Sequence, residues 1–333
     1  AYLVAEKHPG WNVVGVDHLS GFSTRTSIAP LEASGALKFF QADIADSAAM
    51  RELYERYQFD YVINFAAESH NDRAIVDPEP FVRSNVLGAQ VLAELSRQYE
   101  TEHHIHVSTI EVYGEQGPDI TAFTEASPLN AKTPYSAAKA GGDLMIRSYM
   151  LTYPQFRVSI THCANNYGPY QFPEKLIPLA ISRVLRGENI PLYGDGLQRR
   201  DWLHVRDHCL GILTLLTSER GRVPEPDDAL HPERLPIYDF SAREERANIE
   251  IARIIAEELG YEFDDVVSFV PDRPNHDRRY LIDPSKVEQE LGFIPSISFE
   301  AGMRETVRWY VAHREWWEAI VNERELAFNW GKQ

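Results

Sequence analysis

The sequence predicts an α/β protein, a doubly wound parallel sheet with a smaller C-terminal domain packed on it. Short β-branched or aromatic runs recur through the first half, and stretches of helical periodicity separate them. Several of the runs end in an acidic or hydroxyl residue, which an open parallel sheet presents at its carboxyl edge, where ligands bind. The 333 residues, 44% of them apolar, are enough for one large core or two cooperating ones and exclude a disordered or fibrous chain.

Ala1–His8 reads as the middle of a helix, and the first strand is Asn12–Asp17, a β-branched run closing on a carboxylate. Leu37–Asp43, Tyr61–Ala67, His104–Thr109 and Phe156–Cys163 are the next strands, with helices over Ala48–Tyr57, Pro80–Tyr99 and Ser136–Leu151. Beyond about residue 166 the alternation weakens, and Gly, Pro and Arg gather in Gly168–Pro173 and Gly194–Asp201. The expected division is therefore 1–165 and 166–333, with some later segments returning to the first unit. Pro224–Pro236 reads as an exposed loop and Ala247–Leu259 as an amphipathic helix; neither an internal repeat nor a low-complexity segment is present.

Lys and Arg total 33 against 50 Asp and Glu, a formal charge of −17, and no basic run offsets it. A groove that tracks nucleic-acid phosphates is excluded, whereas an anionic metabolite can still be held by a few converging arginines. Cys163 and Cys209 sit in apolar segments without metal-ligand spacing and read as reduced core residues of a cytoplasmic protein. No apolar run approaches the ~20 residues of a membrane span, and the charges in Ala1–His8 do not suit a signal peptide. His70, His204 and His276 lack metal-site spacing, so no metal is expected.

Asp17, at a strand end, suits the two hydroxyls of an adenosine ribose and would repel a 2′-phosphate, which favours NAD over NADP. The competing reading is an acid that caps the following turn. Asp43 could meet the adenine amine in the same way. The glycine-rich phosphate turn belongs about 20 residues before such an acid, so it is expected to precede Ala1. Tyr135-Ser-Ala-Ala-Lys139 places a lysine one turn after a tyrosine, where an ammonium favours the phenolate over the ordinary pKa of ~10. Alone that spacing is common in helices; beside the Ser108-Thr109 strand end and Asp17 it is specific.

Longer strings then match a family. Ala66–Arg73, Tyr135 with Lys139, Asn165–Pro178, Gln198–Trp202 and Asp272–Tyr280 resemble the extended short-chain dehydrogenase/reductases, and within them the nucleotide-sugar 4,6-dehydratases, over nearly the whole chain. The resemblance implies a Rossmann domain for NAD over 1–165 and a sugar-nucleotide domain over 166–333. It also implies a cytoplasmic homodimer in which Pro80–Tyr99 and Ser136–Leu151 form a four-helix bundle, although core packing within one subunit explains their apolar faces equally well. Its chemistry is a closed redox cycle: C4 oxidation, loss of water across C5 and C6, and hydride return to C6. By resemblance Tyr135 is the oxidation base, Lys139 modulates its pKa, Thr109 bonds the sugar hydroxyl and Glu111 removes the C5 proton. Asp17, Asp43, Ala66, Ser108, Tyr135 and Lys139 then border the cofactor. Ser69, Ile110, Asn166, Lys175, Leu176 and His276 border the substrate, with Arg200 and Arg273 on its diphosphate.

Two places depart from the family pattern. Where the family carries Thr-Asp-Glu, this chain reads Thr109-Ile110-Glu111, and isoleucine cannot protonate a leaving hydroxyl, a contribution of about 10²–10⁴-fold. Another donor, a substrate altered at C6, or a reaction that stops at an epimer or a 5,6-unsaturated sugar or nucleoside would each account for this. A purely structural swap ranks last, because that strand end is expected to face the site. Tyr238–Arg246 replaces an Asn-x-Gly-Gly-His-Asn-Glu string, which leaves the base of the nucleotide open, and Asn275 replaces a glycine. A catalytically dead NAD-binding sensor is a third reading, opposed by the retention of Tyr135, Lys139, Thr109 and Glu111 together.

Overall fold

The computed structural model describes residues 1–20, 23–117, 121–219, 228, 231–272 and 276–324. In chain order the strands are β1 (Val14–Asp17), β2 (Lys38–Gln41), β3 (Tyr61–Asn64), β4 (His103–Thr109), β5 (Val158–Cys163), β6 (Asn165–Tyr167), β7 (Ile190–Tyr193), β8 (Arg199–His204), β9 (Ile237–Phe240), β10 (Glu245–Ala247), β11 (Val267–Val270) and β12 (Arg279–Tyr280). The helices are α1 (Tyr2–Lys7), α2 (Ala29–Ala33), α3 (Ser47–Tyr57), α4 (Asn71–Val76), α5 (Glu79–Val82), α6 (Ala89–Gln98), α7 (Pro134–Thr152), α8 (Leu176–Leu185), α9 (Val205–Thr217), α10 (Asn248–Glu258), α11 (Phe263–Val266), α12 (Ser285–Leu291), α13 (Phe299–Ala312) and α14 (Arg314–Arg324).

Parallel pairing joins β1 to β2, and separately β3, β4, β5 and β9 in that order. All seven residues of β4 are buried, the expected state of a strand with partners on both edges and helices on both faces. The sequence reading lacked β9: Ile237–Phe240 returns from the second half of the chain to the edge of the first sheet. Ile105, Ile146, Ile160 and Ile237 are fully buried between the sheet and its helices, each contributing roughly 1.5–3 kcal/mol. A second core lies where α8, α10 and α13 enclose β6, β7 and β8, with Tyr167, Ile181, Ile251 and Trp317 at its centre.

The expected helix over 80–99 is present from Glu79 to Gln98, with one π-helical turn, Arg83–Gly88, between α5 and α6. Against it packs α7, and Gly142 permits the approach, since a Cβ there would lie 2.4 Å from the Asn85 carbonyl oxygen. Thr133 caps α7 through a reciprocal bond with Ser136, and Pro134 occupies the first turn, so the helix starts at a defined residue and sets Tyr135 beside the end of β4. Of the expected loop over Pro224–Pro236, residues 224–227 and 229–230 lie outside the described residues, while Pro232–Arg234 forms a 3₁₀ turn. Cys163 and Cys209 are half-buried free thiols. No helix among the described residues is long and apolar enough to cross a membrane.

Candidate active site

The end of β4 organises the site. Thr109 caps a 3₁₀ turn, Ile110–Tyr113, by accepting the Glu111 N–H on its hydroxyl at 3.3 Å. Tyr135, only 7% exposed, packs among Ala74, Phe81 and Ala138. Burial, and then the charge of Glu111, push its phenol well above the ordinary value, while a hydrogen bond with Thr109 acts in the opposite direction. Lys139 donates to the Val107 carbonyl at 2.8 Å; burial lowers its pKa and Asp143 partly restores it. The expected lowering of Tyr135 by Lys139 is thus not what the protein alone displays, because the desolvation of a buried phenolate dominates.

Glu111 is held by a residue of the Ala66–Arg73 string to which the sequence reading gave no role. Asn71 donates from Nδ2 to the Glu111 carboxylate at 2.9 Å and accepts the Thr133 hydroxyl at 2.7 Å. The α7 cap and the Glu111 side chain are thereby fixed to the same amide. Ile110 requires a correction: it was expected to face the substrate, but it is 1% exposed in an apolar cluster with Val112, Tyr113, Phe123, Ala140, Tyr280 and Ile282. The structure favours the packing explanation that sequence alone ranks last.

A cavity of about 250 Å³ is lined by Asp17, Asp43, Ala66, Ser69, Lys175 and neighbours; Thr109, Glu111 and Tyr135 are not in its wall, which Ser69 links along the chain to Asn71, the partner of Glu111. Asp17 Oδ1 accepts the Leu19 N–H at 2.7 Å and the Ser23 hydroxyl at 2.9 Å, so the carboxylate is oriented at the strand end with its side chain 43% exposed. The bond to Leu19 is the turn-capping contact of the competing reading, and the exposed carboxylate can still accept from a ribose diol. Asp43 accepts the Ala45 N–H and the Arg83 guanidinium, both at 2.8 Å; burial opposes ionisation, but these two partners hold its pKa below the usual value. The Ala66 N–H bonds Asn64 Oδ1 at 3.1 Å, and Lys175 reaches across to the Ser69 carbonyl at 2.8 Å. Ser108 does not line this cavity, and its hydroxyl donates to Asp143 at 3.0 Å, so its expected cofactor contact is not displayed.

The remaining candidates line up behind β6 and β8. Asn166 accepts from His208 at 2.9 Å, and burial lowers the His208 pKa to about 4, which makes it a neutral donor. Leu176 opens α8 and is packed against the second core. Arg200 is 5% exposed, lies 4.3 Å over the Tyr280 ring and donates to the Asp277 carbonyl at 2.8 Å. His276 pairs with Asp272 at 2.6 Å and meets the edge of Tyr193. Arg273 and Asn275 lie outside the described residues.

Beneath Lys139 runs a buried polar chain that spacing alone did not reveal. Asp143 accepts from His162 Nε2 at 3.0 Å, and His162 Nδ1 faces Asp239 at 2.9 Å. Carboxylates on both ring nitrogens favour the imidazolium, because only that form donates from both. Burial disfavours the charge, but Asp143 and Asp239 outweigh it and raise the His162 pKa to about 9. Tyr113 donates to Asp239, whose own N–H bonds Glu125; burial and then Asp239 raise the Glu125 pKa to about 7. Asp239 belongs to the segment that departs from the family pattern, and the structure gives that segment a structural partner in His162.

A family model described as GDP-mannose 4,6 dehydratase matches residues 1–306. The chain is 41% identical over 330 residues to dTDP-glucose 4,6-dehydratase of Xanthomonas campestris pv. campestris, covering 94% of this chain and 90% of that one. Among solved structures it is similar to the dTDP-glucose 4,6-dehydratase DesIV of Streptomyces venezuelae, crystallised with NAD, at 40% identity and TM-score 0.86, covering 96% of this chain and 94% of that one. The NAD complex of dTDP-glucose 4,6-dehydratase from Bacillus anthracis is similar at 35% identity and TM-score 0.84, with the same coverage of both chains.

Proposed function

The chain belongs to the GDP-mannose 4,6 dehydratase family, and from that membership we propose that it is an NAD-dependent dehydratase acting on a nucleotide-activated hexose of the dTDP-glucose kind. The observation that carries the reading is the convergence of Tyr135, Thr109 and Glu111 at the end of β4, tied through Asn71 to the segment whose residues Ala66–Ser69 line a cavity together with Asp17 and Asp43. Bound NAD supplies a hydride acceptor at C4, a hydride donor at C6 and a positive charge that favours the Tyr135 phenolate.

Each residue then has a task. Asp17 orients the adenosine ribose, and Asp43 borders the adenine. Thr109 holds the C4 hydroxyl against Tyr135, which takes its proton; Lys139, one turn along α7, keeps positive charge on that side. The resulting ketone acidifies C5–H, and Glu111, oriented by Asn71, accepts that proton. Arg200, with Arg273, neutralises the diphosphate, and Asn166, Lys175, Leu176, Ser69 and His276 enclose the rest of the nucleotide sugar.

Residues 1–165 with β9 form the cofactor half and most of 166–333 the substrate half. The active form is a cytoplasmic homodimer. Val82 and Leu87 before α6, with Leu144 and Leu151 on α7, are exposed apolar side chains at the faces a four-helix bundle would cover. Incubation with NAD and dTDP-glucose deuterated at C4 tests the function. A 4-keto-6-deoxy product with deuterium at C6 is expected. A C4 epimer or a 5,6-unsaturated product would redirect the reading, and no C4 oxidation of any nucleotide hexose would end it.

A further inference from the structure

The elimination leaves one proton donor unassigned. A hydroxyl leaves C6 as water only if it gains a proton. Glu111 is occupied as the C5 base, and Ile110 has no proton to give. The donor must be a buried group next to the 110–113 turn that is still protonated when Glu111 is ionised.

Asp277 meets that description. It is 7% exposed, and its Oδ1 has no hydrogen-bond partner among the described residues. Its backbone is fixed on both sides. The Asp277 carbonyl accepts Arg200 at 2.8 Å, the Arg278 N–H donates to Glu115 at 3.1 Å, and the Gln116 N–H donates to the Arg279 carbonyl at 3.0 Å. This lays residues 277–279 along 115–116, directly after the turn that bears Ile110 and Glu111, and Tyr280 packs in the same cluster as Ile110. Burial, and then repulsion from Glu111, raise the Asp277 pKa to about 6, with Arg200 and Lys132 opposing and Glu115 adding to the rise. The other carboxyls with a raised pKa among the described residues are engaged elsewhere: Glu125 accepts the Asp239 N–H, Asp239 accepts Tyr113 and faces His162, Asp201 accepts Ser241 and the Glu244 N–H, and Glu174 lies among Lys175, Arg73, Glu68 and Asp72.

We propose that Asp277 is the general acid of the elimination, giving its proton to the C6 hydroxyl as Glu111 removes the proton from C5. The step balances. The C5–H electron pair becomes the C5–C6 π bond, the C6–O bond breaks, water departs, Glu111 ends protonated and Asp277 ends as the carboxylate, recharged from solvent. The inference rests on the function proposed above.

The test compares wild type with Asp277→Asn in single turnovers on dTDP-glucose and on dTDP-6-deoxy-6-fluoroglucose, whose fluoride leaves without a proton. Asparagine keeps the backbone contacts to Arg200 and Glu115. In the variant, C4 oxidation, read at 340 nm, should persist, water loss should fall about 10²–10⁴-fold, and fluoride loss should stay within a few-fold of wild type. Water loss at the wild-type rate overturns the assignment. So does a common fall in oxidation, water loss and fluoride loss, which marks a merely structural residue. If wild type oxidises neither sugar, the dehydratase reading itself fails and the acid role goes with it, a result that no Asp277 variant can imitate.

Discussion

Ile110→Asp would restore a carboxyl where related dehydratases carry one, and the structure predicts that it damages the protein instead of improving it. The Ile110 side chain is 1% exposed between Val112, Phe123, Ala140, Tyr280 and Ile282. Removing most of a buried aliphatic side chain costs about 2–5 kcal/mol. A carboxyl left there without a partner adds about 1–3 kcal/mol. The sum is a large part of the ~5–15 kcal/mol that holds a typical protein folded. At roughly 2–4 °C per kcal/mol, Tm should fall by about 6–30 °C. The loss also depends on pH. A carboxyl buried in this cluster has a folded pKa above its unfolded value of ~3.9, so the folded state binds the extra proton and the penalty grows as pH rises from about 4 toward the folded pKa. Thermal and urea melts at pH 5 and pH 8, with Ile110→Val as a control costing about 0.5–1.5 kcal/mol, measure it. An Ile110→Asp protein as stable as wild type at pH 8, or one that dehydrates its substrate faster, would refute the placement of this side chain in the core.

Tyr135→Phe removes the proposed oxidation base and should lower C4 oxidation by about 10²–10⁴-fold in a stopped-flow assay at 340 nm while NAD still binds. Asn71→Ala frees Glu111 from its amide donor. A hydrogen bond to a charged group is worth about 1.5–3 kcal/mol, so C5 proton exchange with solvent should slow by about 10–100-fold, with C4 oxidation much less affected. His162 has a folded pKa of about 9, above the ordinary ~6.5. Its stabilisation is complete below about 6.5 and is lost as pH rises through the folded value; the urea midpoint should decline over that window, and His162→Asn should flatten the decline. Leu144→Asp on the exposed face of α7 should give a monomer by sedimentation if the helices pair across a two-fold axis.

The residues legible in the sequence are those whose partners are near in the chain or whose role follows from periodicity. Runs such as Val14–Asp17 and Val158–Cys163 identify themselves as strands because β-branched residues recur through them, at two of four and three of six positions, between helical stretches. Tyr135 and Lys139 stand one turn apart on a single helix, so their pairing is local. The π turn at Arg83–Gly88 was not read, since it changes the hydrogen-bond register inside a stretch that stays helical; Gly142 of α7 packs closely on its Asn85. β9 was missed because only its pairing with β5, 77 residues away in the chain, identifies it as part of the sheet.

Sequence by itself therefore determined the α/β class, the family, the order of the main strands and helices, and the identity of the tyrosine, lysine, threonine and glutamate gathered at one strand end. Only the tertiary structure decided where the side chains of the altered positions go. Ile110 turns into an apolar cluster, His162 finds carboxylates on α7 and β9, Asn71 reaches Glu111, and Asp277 is buried with one oxygen unpaired among the described residues. Local propensity acts through neighbours a turn or two away, whereas burial, desolvation and the charge around a titratable group are set by residues far apart in the chain, and those meet only when the sheet and its covering helices have closed.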